Sequence, residues 1–206
     1  MPNWCSNAVE ISHARPAEIT RIRDALEAGR FCDAVIPVPE DLKITAGYLG
    51  DEAAQKELER KTAENQEKYG AGNWYDFCVS RWGTKWDVDA EGTTDVTNKG
   101  KTVSASFESA WAPPVGVYAE LVRQGFSVKA YYYEPGMCFC GVFEDGDDDY
   151  YELGGMTSDQ AAQEIPSELD DMFGIVETMQ EYEMENSEEL TEWIKDGVEK
   201  TKGGTA

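Results

Sequence analysis

Short runs in which apolar and polar residues alternate, each followed by a run whose apolar residues recur every third or fourth position, constrain this chain most. Asn3–Ser12 (NWCSNAVEIS) alternates late in its course, with Val9 and Ile11 set against Ala8 and Glu10, and reads as a first strand. Pro16 then stands where a helix would begin. Ile19, Ile22 and Leu26 follow at helical spacing, and Gly29 stands at the stop. Farther on, Thr84–Ala90 reads as a strand. Thr102–Glu108 (TVSASFE) alternates cleanly, with Val103, Ala105 and Phe107 on one face. Trp111-Ala112-Pro113-Pro114 opens a second helix carrying Val117, Leu121 and Val122, stopped at Gly125, and Ser127–Tyr133 is a further strand. Phe139–Glu144 and Tyr150–Leu153 add two strands across an acidic turn. The order strand, helix, strand, strand, helix, strand predicts an α+β fold, a ferredoxin-like (split βαβ) sandwich with extra strands.

Two departures interrupt that order. Val35-Ile36-Pro37-Val38-Pro39 cannot donate to a ladder at its prolines and reads as an extended connector. Residues 51–69 are rich in Ala, Glu and Lys with little apolar surface, which predicts a solvent-facing helix inside an insertion over about 40–82. After Gly70, Asn73 caps a short helix with Trp74, Phe77, Cys78 and Arg81, closed by Gly83. These segments place the ferredoxin-like domain at 1–155. Residues 156–206 read as an acidic helical C-terminal extension, with capping-box spacings at Thr157/Gln160 and Asn186/Glu189. Ile175, Met179 and Tyr182 form one apolar stripe there and Leu190, Trp193, Ile194 and Val198 another. Such stripes face the domain or a partner helix, which leaves a homodimer open.

Charge is distributed unevenly. The 206 residues carry a formal net charge of −23, and residues 144–196 hold 19 acids and one base, Lys195. Such a balance excludes a bulk electrostatic grip on nucleic acid and disfavours an anionic membrane surface. No run approaches the ~20 apolar residues of a membrane span, the N-terminus lacks the pattern of a secretory signal, and five cysteines form no even disulfide framework. The expected setting is a reducing cytoplasm.

At MPNWCSNAVEI, NWYDFCVSRWGTKWD, SASFESAWAPP and YYYEPGMCFCG the chain resembles the YubB-type ferredoxin-like domain proteins of phages and conjugative plasmids, over roughly residues 1–145. The resemblance implies a ferredoxin-like fold and a mobile-element origin. It implies no established activity, no cofactor and no catalytic residues. The acidic extension lies outside it.

The leading expectation is a non-enzymatic accessory protein acting by protein–protein contact. Its acids would imitate a phosphate backbone and occupy the basic nucleic-acid-binding surface of a host protein, such as a defence or DNA-handling complex. The candidate acidic face is Asp145, Asp147, Asp148, Asp149, Asp170, Asp171, Glu181, Glu185, Glu188 and Glu189. A candidate aromatic platform is Trp74, Trp82, Trp86, Trp111 and Tyr132, against the plainer reading of packed core indoles. Two alternatives stand beside these. One is an enzyme using carboxylates such as Glu108 and Glu134 near the tryptophans. The other is an RNA-binding sheet face built on Tyr131–Tyr133 with Arg81, Lys85 and Lys129. Asp145, Asp147 and Asp149 lack the glycine and glutamate of a calcium loop, and Cys138-x-Cys140 has no second ligand pair, so no metal and no cofactor is expected.

Overall fold

A computed structural model describes residues 2–186, which divide into two compact units, 2–152 and 153–186. The first is an α+β unit built on one six-stranded, wholly antiparallel open sheet. Its strands are β1 (Trp4–Ser12), β2 (Asp95–Thr97), β3 (Thr102–Ala110), β4 (Ser127–Glu134), β5 (Phe139–Glu144) and β6 (Asp147–Glu152), in spatial order β2-β3-β1-β4-β5-β6. Register decides the faces. Val9 pairs with Ala105 and Ala130, and Ile11 with Val103 and Val128, so these five point one way into the main core. Helices α1 (Pro16–Glu27) and α5 (Val115–Arg123) bury Ile19, Ile22, Leu26, Val117, Tyr118 and Leu121 in the same core. Alternate residues of β1 and β3, namely Ser6, Ala8, Glu10, Ser104, Ser106 and Glu108, point the other way.

Between α1 and β2 lie α2 (Phe31–Val35), α3 (Glu52–Tyr69) and α4 (Trp74–Arg81). α3 is the expected solvent-facing helix. Asp51 caps it by accepting the Ala54 N–H, Leu58 and Asn65 are its buried residues, and Lys56–Glu52, Arg60–Glu57 and Arg60–Glu64 pairs line its outer face. Val35 ends α2 rather than beginning a connector, and the extended stretch starts at Ile36.

Two expected strands differ from the observed ones. Residues 84–90 form no ladder, because their polar groups are satisfied elsewhere. Thr84 Oγ1 donates to the Ala110 carbonyl, the Asp87 carboxylate accepts N–H groups of α2, and the Ala90 N–H donates to Leu26 O. The segment is a strap across one end of the core, and Asp95–Thr97 takes the place beside β3. β6 begins at Asp147, three residues earlier than expected, because the turn shrinks to Asp145-Gly146. Both have positive φ (49° and 116°), as a two-residue primed turn requires, and Asp-Gly is a favoured pair there.

In the second unit, α6 (Ser158–Glu164) starts with the expected capping box of Thr157 and Gln160, α7 (Ser167–Phe173) follows, and residues 175–186 are helical. Leu153, Ala161, Ile165, Leu169 and Ile175 are buried. Tyr182, expected on the apolar stripe, is 68% exposed. Glu188, Glu189 and the stripe from Leu190 to Val198 lie outside the described residues.

Candidate functional site: an indole-walled cleft and an acidic second unit

The first unit contains a cleft of about 280 Å³ lined by Asp33, Val38, Lys43, Trp74, Cys78, Trp82, Lys85, Trp86 and Asp87. Three elements build it. α4 supplies Trp74 and Cys78 and is set by Asn73, whose Oδ1 accepts the N–H groups of Tyr75 and Asp76 at 2.9 and 3.2 Å. The C-cap of α4 supplies Trp82, the strap supplies Lys85, Trp86 and Asp87, and α2 with its connector supplies Asp33 and Val38. Trp82 is 4% exposed and donates its indole N–H to the Ile36 carbonyl at 2.9 Å, tying the end of α4 to the connector.

Asp87 is a long-range helix cap. It accepts the N–H groups of Cys32 (2.7 Å), Asp33 (3.0 Å) and Val88 (3.0 Å), placing negative charge at the start of α2. Burial raises its pKa and outweighs those N–H bonds, which act to lower it. Burial also pushes the Cys78 thiol up to about 12 and the Cys32 thiol well above its usual range, so neither serves as a thiolate nucleophile. Asp33 accepts the Val38 N–H at 2.9 Å. Both cleft carboxylates are therefore committed to backbone donors. Lys43 pairs with Glu40. Lys85 lies 4.6 Å from the Trp86 ring centre and 5.6 Å from that of Tyr75.

The five expected platform aromatics are not one surface. Trp74, Trp82 and Trp86 share the cleft, and the Trp86 ring stands 6.1 Å from Trp4. Trp111 is 43% exposed just after β3, at φ 73°, its N–H donating to the Asn3 carbonyl. Tyr132 is 1% exposed, packs with Cys5 and Phe139, and donates to Asp148 at 2.7 Å, so it presents no ring to a base. On the other side of the sheet Tyr131 and Tyr133 of β4 stand beside Ala8 and Ser6, and Lys129 lies 5.5 Å from the Tyr131 ring centre but is paired with Glu144 at 3.3 Å. Glu108 accepts from Ser6 Oγ, while Glu134 is buried and accepts the N–H groups of Gly136 and Met137. Since Ser6 faces Tyr133, Glu108 and Glu134 point to opposite faces of the sheet and cannot act as an acid–base pair.

The expected acidic residues divide by partner. Asp145 accepts from the Val128 N–H and Ser127 Oγ, and Asp170 from the Val176 N–H. Asp148 receives Tyr132. Asp147 and Asp149 lie on the free edge strand, where charge keeps an unpaired ladder from templating another chain. Asp171, Glu181 and Glu185 are exposed in the second unit. Residues 153–186 contain nine Asp and Glu and no Lys or Arg. Eight of the nine are exposed, and Glu183 accepts the Ser158 N–H and hydroxyl, both at 2.8 Å. Glu177, which sequence reasoning missed, precedes Glu181 and Glu185 at four-residue steps, a spacing readable once the helix is known. Asp33, Val38 and Lys43 were missed because nothing local links them to the tryptophans.

Among the described residues no three His, Cys, Asp or Glu side chains form a group that could hold a metal ion, and no helix is long and apolar enough to cross a membrane. No family model and no curated protein matches this chain. A solved structure, protein api92 from Yersinia pseudotuberculosis (family-model DUF1281), is similar at 11% identity over 76% of this chain and 99% of that chain, with a TM-score of 0.35. A likeness of that size carries no argument about function.

Proposed function

We propose that this chain is a non-enzymatic accessory protein of a phage or plasmid that binds the basic, nucleic-acid-handling surface of a host protein in the host cytoplasm. On this reading the first unit is a ferredoxin-like scaffold. What supports the scaffold is connectivity: β1, α1, β2, β3, α5 and β4 follow in chain order, and β2-β3-β1-β4 in space is a split βαβ arrangement extended by the β5–β6 hairpin. The mobile-element setting rests on the resemblance of the four sequence motifs.

One observation carries the binding mode. Residues 153–186, the described part of the second unit, contain no Lys or Arg, so no cation among them neutralises their carboxylates. Glu177, Glu181 and Glu185 make a ridge with a rise of about 6 Å per step, of the same order as the ~6–7 Å between phosphates along one nucleic-acid strand. Like charges four apart on a helix destabilise it by ~0.2–0.5 kcal/mol per pair. Local stability disfavours the ridge, whereas a partner lined with Lys and Arg would relieve it.

The test is retention of host-lysate proteins on the immobilised full chain at low salt, with and without added duplex DNA. Nucleic-acid-binding proteins should be retained, released by salt and displaced by DNA, and the triple variant Glu177→Gln, Glu181→Gln, Glu185→Gln should retain less. Retention that DNA leaves untouched, or no retention at low salt, would overturn the reading.

A further inference from the structure

We infer that the indole-walled cleft is a binding site for a small planar aromatic anion, with Lys85 receiving the negative group. The argument starts from charge. With 41 Asp and Glu against 18 Lys and Arg, carboxylates are abundant, and Lys43, Lys56, Lys61, Lys68 and Lys129 each pair with one. Among the described residues Lys85 makes no ion pair, although it is only partly exposed. Lys99 and Lys101 also make none, but they stand exposed in a turn.

The Lys85 ammonium rests over the Trp86 and Tyr75 rings. A ring face accepts the charge but leaves the N–H donors without oxygen partners. The cleft's own carboxylates are turned to the backbone, Asp87 accepting three N–H groups and Asp33 one, and neither pairs with Lys85. What remains for a ligand is a set of indole walls from Trp74, Trp82 and Trp86, an apolar floor at Val38 and Cys78, and an ammonium with unspent donors.

Size and charge narrow the class. Ligand sites usually run from about 300 Å³ upward, so a cleft of about 280 Å³ takes a one- or two-ring body rather than a peptide helix. An external cation is disfavoured, because Lys85 already covers the Trp86 face and would repel it. An aromatic ring bearing a carboxylate or a phosphate satisfies both walls and ammonium. This inference is independent of the acidic second unit.

The experiment titrates the full chain, followed by indole fluorescence and calorimetry. The probes are indole-3-acetate and adenosine monophosphate, with indole, adenosine and inorganic phosphate as single-feature controls. A saturable change with at least one aromatic anion is expected, and which of the two binds separates a carboxylate from a nucleotide source. The matching neutral ring and phosphate alone should bind about tenfold more weakly or worse. Lys85→Met should weaken binding about tenfold while leaving the melting temperature unchanged, and Lys85→Arg should restore it. No saturable binding by either anion, equal binding of the neutral ring, or full affinity in Lys85→Met would each overturn the assignment.

Discussion

Gly116→Ala tests how the cleft is held. Gly116 sits in the first turn of α5, where its N–H donates to the Trp82 carbonyl at 3.0 Å. A Cβ there would lie 2.1 Å from the Arg81 carbonyl oxygen and 3.2 Å from that of Trp82. Both atoms are backbone, so no side chain can rotate away, and α4 must separate from α5. Overpacking costs typically ~1–3 kcal/mol, and backbone-on-backbone contact belongs near the top of that range. Helix propensity returns at most about 1 kcal/mol for glycine to alanine. The net is about 2 kcal/mol, a loss of roughly 4–8 °C in melting temperature for a unit of this size. Gly154→Ala is the control, since nothing lies within 4 Å of its Cβ position. Thermal melts by circular dichroism read the stability, and indole fluorescence reads the Trp82 end of the cleft. If Gly116→Ala melts within a degree of the parent, close backbone approach does not fix the α4–α5 junction and the packing argument fails.

Three further outcomes follow from the same contacts. Asp87→Asn should cost about 1–3 kcal/mol at neutral pH, because each carboxylate oxygen accepts an N–H of α2 and the amide, with one oxygen, leaves one of those N–H groups unpaired. Because burial raises the Asp87 pKa, the folded state binds its proton more tightly than the unfolded chain. Stability from this group therefore falls as pH rises from the unfolded carboxylate pKa through the folded one, and the parent's advantage over Asp87→Asn should be larger near pH 4 than at pH 7 in paired melts. Cys138 is the exposed thiol, while Cys5 and Cys78 are pushed up to about 12 and Cys32 and Cys140 are buried. Mass spectrometry after brief alkylation should find Cys138 modified first, with all five modified only after denaturation. The triple glutamine variant at 177, 181 and 185 removes two like-charge steps and should raise helix stability by about 0.4–1 kcal/mol in low salt. An unchanged or lower melting temperature would mean the ridge carries no repulsion.

What the sequence determined is the set of local elements and their main faces. Alternation at Thr102–Glu108 and the spacing of Ile19, Ile22 and Leu26 are short-range properties, and the structure buries those residues as the pattern requires. Pro16, Gly29, Asn73 and Thr157 stand at the ends they mark, because caps and positive φ are decided within a few residues. The excess of acid is likewise readable without coordinates. Tertiary structure alone decided the strap at 84–90, whose strand-like composition is overridden by bonds to Ala110, to the start of α2 and to Leu26. It also buried Tyr132 while leaving Trp111 exposed, and it joined Lys85, Trp74 and Asp33 across one cleft. The reason is physical. Propensity and periodicity act over neighbouring residues, whereas a cleft and its unspent hydrogen-bond donors exist only where distant segments meet and some polar groups find partners while others do not.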